Sequence, residues 1–196
     1  MDNKAKPILF STPMVQAIME GRKTMTRRVI KIDDAPENWQ ISIAGRSIVR
    51  TAPYDVKLAR YKIGDILWVR EAWCQCASIN GWLDDVRLYG YKADYDRVVP
   101  WKWKPSIHMP KEAARIFLRV TDVRVERVQD ILCGDMHREG CIPKTVTGGQ
   151  WQQWQHDYWI PLWDSINAKR GYGWDTNPWV WVYTFERCDK PEGWCK

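Results

Sequence analysis

The sequence has no run of about 18 apolar residues that could span a bilayer, and its first ten residues, MDNKAKPILF, lack the apolar core of a secretory signal. A cytoplasmic protein that does not engage membranes is expected. It has no CxxC pair either: Cys74, Cys76, Cys133, Cys141, Cys188 and Cys195 are scattered, and without a secretory signal they are expected to be reduced thiols. Residue type alone would allow zinc on Cys133, Cys141, Cys188 and Cys195, but the spacing is unlike that of a structural zinc site. His137 and His156 have no spaced partners that would make a metal pair, so neither metal nor cofactor is expected. No repeat, low-complexity tract or long linker interrupts the chain. One domain is therefore expected over residues 1–188, followed by a loose tail at 189–196.

Tryptophan and positive charge are what the chain has in excess. Its 196 residues include 14 Trp and carry a formal charge of +6, with a pI near 9.0. A chain of this size buries about 70% of its unfolded surface around a single core, so no second domain is required. With 45% hydrophobic and 28% charged residues, a wholly disordered chain is excluded. Indoles build cores, line pockets and offer stacking faces for bases, and a basic surface favours polyanions because each phosphate contacted releases counterions.

Ser11 to Gly21 reads as a two-turn helix: Thr12 suits the N-cap, Pro13 the first helical position, and Gly21 the left-handed conformation that ends a helix. Arg22–Ile30 is a turn running into a strand, and Ile63–Glu71 a Gly-Asp turn feeding a short apolar strand. Between them, residues 31–62 mix Pro36, Gly45 and Pro53 with polar residues and read as an insertion with a short strand at Ile41–Ile43. A further strand is expected at Arg87–Lys92. Ala114–Val120 and Asp122–Val128 alternate apolar and charged residues with a register shift near Thr121-Asp122, the kind a barrel corner needs. Helices are expected at Gly134–Glu139 and, in a block over about 142–171, at Gln150–Tyr158 and Leu162–Lys169, ended by Gly171. The last strand, Pro178–Arg187, places Trp179, Trp181, Tyr183 and Phe185 on one face and Val180, Val182 and Thr184 on the other. Strands that bracket helices argue for α+β with a small, mostly antiparallel sheet.

Three stretches together carry a resemblance: Ala17-Ile18-Met19-Glu20-Gly21-Arg22-Lys23-Thr24-Met25-Thr26-Arg27, Gly64-Asp65-Ile66-Leu67-Trp68-Val69, and the closing Trp-Val-Trp-Val-Tyr-Thr-Phe-Glu strand. They resemble the ASCH family of PUA-like domains, from Ile8 to Arg187, in the larger version found in phages and prophages, where Lys104–Pro110 and Leu162–Asn167 also find counterparts. The resemblance implies a small, mostly antiparallel PUA-like β-barrel with flanking helices. It further implies RNA or a modified nucleoside as partner, and amide hydrolysis of N(4)-acetylcytidine by a Lys, a Thr and a Glu. Carried over by motif these are Lys23, Thr26 and Glu139, the last on the looser pattern His137-Arg138-Glu139. The insertion and the second helical block are departures from the small hydrolase of the family.

The chemistry can be argued from the residues alone. A Thr hydroxyl attacks an amide carbonyl if a base takes its proton, and a Lys can do so if burial or a neighbouring cation lowers its pKa. Arg22, Arg27 and Arg28 supply positive charge, and a carboxyl group can protonate the departing amine or restrain the Lys. Lys23 and Thr26 converge if the turn after Gly21 continues through Lys23 or Thr24, since residues three apart on a regular strand face opposite sides. The competing readings are a solvated basic turn that binds phosphate, a noncatalytic RNA-binding module, and a single-stranded RNA nuclease working in the same cleft. Arg22, Arg27 and Arg28 are substrate-binding candidates, and so are Trp68, Arg70, Glu71, Ser106 and His108, although for Glu71 a plain ion pair to Arg70 or Lys23 is the blander role. Trp101 and Trp103, alternating with Lys102 and Lys104, suit a stacking platform beside a phosphate track.

Overall fold

Helix α1 spans Thr12–Met19, with Ser11 rather than Thr12 at its N-cap, and it ends at Gly21 in the left-handed conformation with φ 76°. It belongs to a computed structural model that describes residues 5–30, 43–44, 47–48, 59–76, 88–95, 102–141 and 151–194. The strands are β1 (Lys6–Leu9), β2 (Met25–Val29), β3 (Ile43–Ala44), β4 (Ser47–Ile48), β5 (Ile66–Arg70), β6 (Trp73–Cys76), β7 (Leu88–Tyr91), β8 (Phe117–Arg127) and β9 (Trp179–Cys188). Helices α2 (Cys133–Arg138), α3 (Trp151–Trp154) and α4 (Ile160–Asn167) lie between β8 and β9 in the chain.

The structure is α+β, but the expected closed, mostly antiparallel barrel is not what forms. Five strands make one open sheet in the order β1-β5-β8-β9-β2, with β1 and β2 as its edges. The sheet is mixed: β1 runs parallel to β5, from Lys6 opposite Leu67 to Leu9 opposite Arg70, whereas β5 is antiparallel to β8 and β2 to β9. Alternation along a strand reports which face is buried. It carries no information on the neighbour or its direction, so a barrel and an open mixed sheet read alike in the sequence. The pairs β3-β4 and β6-β7 form separate two-stranded sheets.

The chain folds as two compact units. The first comprises Met1–Gly21, Asp65–Arg119 and Glu186–Lys196. Its core gathers Trp68, Trp73, Met109, Ala113, Ala114 and Phe117, with Tyr89, Tyr91, Cys188 and Trp194 packed against them. Trp194 lies in the expected loose tail, yet its ring stands edge-on to Phe117 at 5.0 Å and to Trp68 at 5.9 Å.

The second unit comprises Arg22–Gly64 and Val120–Phe185. Its core is Met25, Val128, Ile131, Met136, Trp159, Trp163, Val180 and Val182. In the antiparallel pair β2/β9, Thr26 lies opposite Tyr183, Arg27 opposite Val182 and Arg28 opposite Trp181. Met25, Arg27 and Val29 thus share the core face with Val180 and Val182, while Thr26 and Arg28 share the other with Trp181 and Tyr183. The two helices expected over Gln150–Lys169 are one continuous run, α3 and α4 joined by a π-turn at Gln155–Trp159, where the Ile160 N–H bonds the Gln155 carbonyl. Pro161 accounts for the widening: it has no N–H to bond four residues back and its ring crowds the preceding turn.

Of the expected insertion at about 31–62, the hairpin β3-β4 and residues 59–62 are described; Ile41, residues 142–150, Trp101, Arg87 and Cys195 lie outside the described residues. Burial on β8 passes from Leu118 and Val120 to Val123, so the inward parity switches near Thr121-Asp122 within an unbroken strand. Among the described residues no helix is long and apolar enough to cross a membrane.

Candidate active site

Arg22, Lys23 and Thr24 form no regular structure, and β2 begins at Met25. These three residues close the end of α2. The Thr24 N–H donates to the Arg138 carbonyl at 2.8 Å, Lys23 Nζ to the Glu139 carbonyl at 2.9 Å, and Arg22 Nη1 to the Gly140 carbonyl at 3.2 Å. Helix C-terminal carbonyls lack intrahelical donors and carry partial negative charge, so two cations and a backbone N–H meet both needs. Gly140, in the left-handed region with φ 73°, turns the chain away from the helix.

Lys23 goes further than capping. Its ammonium also donates to the Met25 carbonyl at 2.7 Å and to Glu139 Oε2 at 2.9 Å, so three acceptors surround it. Lys23 is 2% exposed and Glu139 3%. The other Glu139 oxygen accepts from Arg27 Nη1 at 3.2 Å. Arg27 Nη2 donates to Asp135 Oδ2 at 2.8 Å and to Glu126 Oε2 at 2.9 Å, and Arg124 joins the same Asp135 oxygen at 2.9 Å and Glu126 Oε1 at 2.5 Å. Lys23, Arg27 and Arg124 are thus matched by Glu139, Asp135 and Glu126. Trp159 closes the group, its ring centroid 5.8 Å from the Arg27 guanidinium carbon.

Burial sets the proton affinities. It lowers the Lys23 pKa below that of a free lysine, against the opposing pull of Glu139, and Arg28 lowers it further. Burial would also weaken proton binding by Arg27, but Glu139, Glu126 and Asp135 outweigh it and the pKa rises. Cys141 donates its thiol to the Met136 carbonyl at 3.1 Å, and burial, then the Glu139 charge, push its pKa up to about 12.

Of the sequence-derived catalytic residues, the fold brings Lys23 and Glu139 into direct contact. Thr26, 3% exposed, lies on the β2 face opposite Arg27, and among the described residues no hydrogen bond joins its hydroxyl to either. Arg28 shares that face with Tyr183, whose ring meets that of Tyr61 in a T-shaped contact at 5.1 Å, and the Arg60 guanidinium carbon lies over the Tyr61 ring at 5.5 Å. Burial lowers the Arg28 pKa and raises those of Tyr61 and Tyr183, the last to about 12. A solvated basic turn is overturned by this burial. Arg22 braces α2, and Arg27 is committed to three carboxylates.

Trp68, Arg70, Glu71, Ser106 and His108 belong to the other unit. Trp68 is a core residue with the Arg70 guanidinium over its ring at 5.4 Å, and Arg70 Nη2 donates to the Ile107 carbonyl. Glu71, 1% exposed, pairs with neither Arg70 nor Lys23 but accepts from Arg115 Nε at 2.8 Å and Nη2 at 2.9 Å, while Arg115 Nη1 reaches Asp94 at 2.7 Å. Burial raises the Glu71 pKa against the pull of Arg115. Ser106 and His108 occupy a short helical turn, with His108 exposed. Trp103 is half-buried against Tyr95 at 5.8 Å, which leaves it a packing residue rather than an open platform.

Sequence reading missed Arg124, Glu126 and Asp135. Two signals were present: Arg124 and Glu126 lie two apart on one strand face, and Asp135 and Glu139 lie four apart on one side of α2. An i, i+4 acidic pair repels in an isolated helix and is tolerated where cations face it.

Fold and site define an α+β protein whose second unit is built on a buried, charge-balanced ion network around Lys23, Arg27 and Glu139. No family model matches the chain, and no curated protein matches it. Among solved structures it is similar to the crystal structure of protein EF3133 from Enterococcus faecalis V583, of family model DUF984, at a TM-score of 0.44 and 12% identity, covering 96% of this chain and 82% of that one.

Proposed function

We propose that this chain is an ASCH-type cytoplasmic protein that binds RNA or a modified nucleoside and hydrolyses an acylated amine of the N(4)-acetylcytidine kind with Lys23, Thr26 and Glu139. The observation that carries the reading is the contact of a fully buried Lys23 amine, its pKa lowered by burial, with Glu139 beside the strand that bears Thr26. A lysine so placed gives up its proton more readily than a free one and can act as a base.

In the reaction the Thr26 hydroxyl adds to the acetyl carbonyl as its proton passes to the neutral Lys23 amine. The carbonyl carbon to N4 bond then breaks, N4 takes that proton, and cytidine leaves with the acetyl group esterified to Thr26. Water, giving a proton to Lys23, adds to the ester carbonyl; the bond to the Thr26 oxygen breaks, that oxygen takes the proton from Lys23, and acetate leaves with the hydroxyl and the neutral amine restored. Because both Glu139 oxygens accept from Lys23 and Arg27, its role is to restrain the amine rather than to donate a proton.

Release of cytidine from N(4)-acetylcytidine, followed by liquid chromatography, tests the proposal. Thr26→Ala is expected to abolish release and Thr26→Ser to retain part of it, and a wild-type protein inactive on acylated cytidines overturns it. The noncatalytic alternative loses support from Arg27, whose guanidinium is held by carboxylates within the protein.

A further inference from the structure

Lys23 and Glu139 do not meet alone. The carboxylate is shared, with Oε2 accepting from Lys23 Nζ at 2.9 Å and Oε1 from Arg27 Nη1 at 3.2 Å. Held at both oxygens, it keeps one orientation and presents a single oxygen to the amine. Arg27 is itself fixed from the other side, since Nη2 donates to Asp135 Oδ2 at 2.8 Å and to Glu126 Oε2 at 2.9 Å. Its side chain has no exposure, and its guanidinium carbon lies 5.8 Å from the Trp159 ring centroid. Among the described residues no hydrogen bond or ion pair joins Asp135 or Glu126 to Lys23. These two carboxylates act on the amine at one remove, through Arg27 and the field they add.

Charge gives the sign of that action. Lys23, Arg27 and Arg124 stand against Glu139, Asp135 and Glu126, and Arg124 is joined to both Asp135 and Glu126. Two further groups face the amine: Arg28 weakens its hold on the proton, and Cys141 would strengthen it only as a thiolate, which its pKa of about 12 prevents near neutral pH. Taking one cation out of a balanced buried group leaves excess negative charge beside Lys23 and favours the ammonium; taking out one anion does the reverse. Between buried groups such changes are felt over several ångströms, because little water screens them.

We propose that Arg27 is a positioning residue: locked by Asp135 and Glu126, it orients Glu139 on the Lys23 amine and cancels enough of the surrounding negative charge for that amine to serve as a base. The coupling stands on the contacts around Arg27; only the use of the amine as a base rests on the proposed function.

Nuclear magnetic resonance of the full chain carrying labelled lysine follows the protonation of Lys23 Nζ, whose signal is identified by its absence from Lys23→Arg. Arg27→Gln is expected to move the midpoint up by about one pH unit and Asp135→Asn to move it down by about one. Arg27→Lys, which keeps the charge, stays nearer to wild type than Arg27→Gln does, and Asp175→Asn, at an exposed carboxylate of the same unit, leaves the midpoint in place. Asp135→Asn preserves shape and an acceptor for Arg27, so it decides the matter if Arg27→Gln does not fold. A midpoint unmoved in Asp135→Asn, or displaced in the same direction by Arg27→Gln and Asp135→Asn, overturns the assignment, since loosened packing carries no sign of charge. The rising limb of kcat/KM against pH on N(4)-acetylcytidine follows the midpoint, so activity at a fixed pH below that limb falls about tenfold in Arg27→Gln. Inactivity of the wild type on acylated cytidines would remove the proposed chemistry and leave the midpoint shifts standing, whereas unmoved midpoints in an active enzyme would remove the role of Arg27 and leave the chemistry.

Discussion

The two units handle positive charge in opposite ways. In the second, Lys23 and Arg27 have side chains with no exposure, and each is matched by carboxylates within hydrogen-bonding distance. In the first, Arg70, Lys104 and Lys111 lie over indole faces. A cation removed from water must find an opposite charge or lose its proton, whereas one at the surface keeps its hydration and gains about 0.5–1 kcal/mol from a ring beneath it. Buried charge is therefore held by carboxylates, and the three cations of the first unit by indole faces.

The sharpest break in the comparison is Glu139→Ala, which leaves Lys23 and Arg27 buried without their shared carboxylate. A loss of about 3–5 kcal/mol in urea unfolding is expected, and a loss under 1 kcal/mol would mean that the network relaxes into solvent. Next is Arg115→Ala. It strands Glu71, but Arg115 itself is a quarter exposed, so water can approach and about 1–3 kcal/mol is expected by the same measurement.

A pH titration sharpens the contrast at a third level. The Cys141 thiol ionises near 9.0 when exposed and is pushed to about 12 in the fold, so the native state keeps a proton that the unfolded chain loses. Its contribution is complete below pH 9.0 and disappears as pH rises towards 12, steepening the alkaline fall in stability by up to about 1.4 kcal/mol per pH unit. Cys141→Ala should remove that part of the slope in unfolding curves taken across this window. The smallest effect belongs to Lys111→Gln, expected to change stability by less than about 1 kcal/mol because only a ring contact is lost. A larger loss would place Lys111 among the structural cations.

Much of the local structure was legible. Pro13 and Gly21 bracket α1, and the Trp/Val alternation after Pro178 assigns the two faces of β9 correctly because strand periodicity is a local property. The sheet was not legible, since the parallel pairing of β1 with β5 leaves no mark on either strand. At the site, the Lys-Thr turn was visible, but its surroundings were not. Arg27 read as a substrate-binding residue and proved to be held by Glu126, Asp135 and Glu139, and Glu71 found Arg115 in place of the neighbours expected for it.

By itself the sequence determined the punctuation of helices, the two faces of β8 and β9 and the inventory of chemistry: a lysine, a threonine and a glutamate, many indoles and an excess of cations. These follow from residue type and short-range spacing. The tertiary structure alone decided which cations are desolvated. Lys23 and Glu139 are 116 residues apart, and their contact exists because α2 ends against the turn before β2, excluding water from both charges at once.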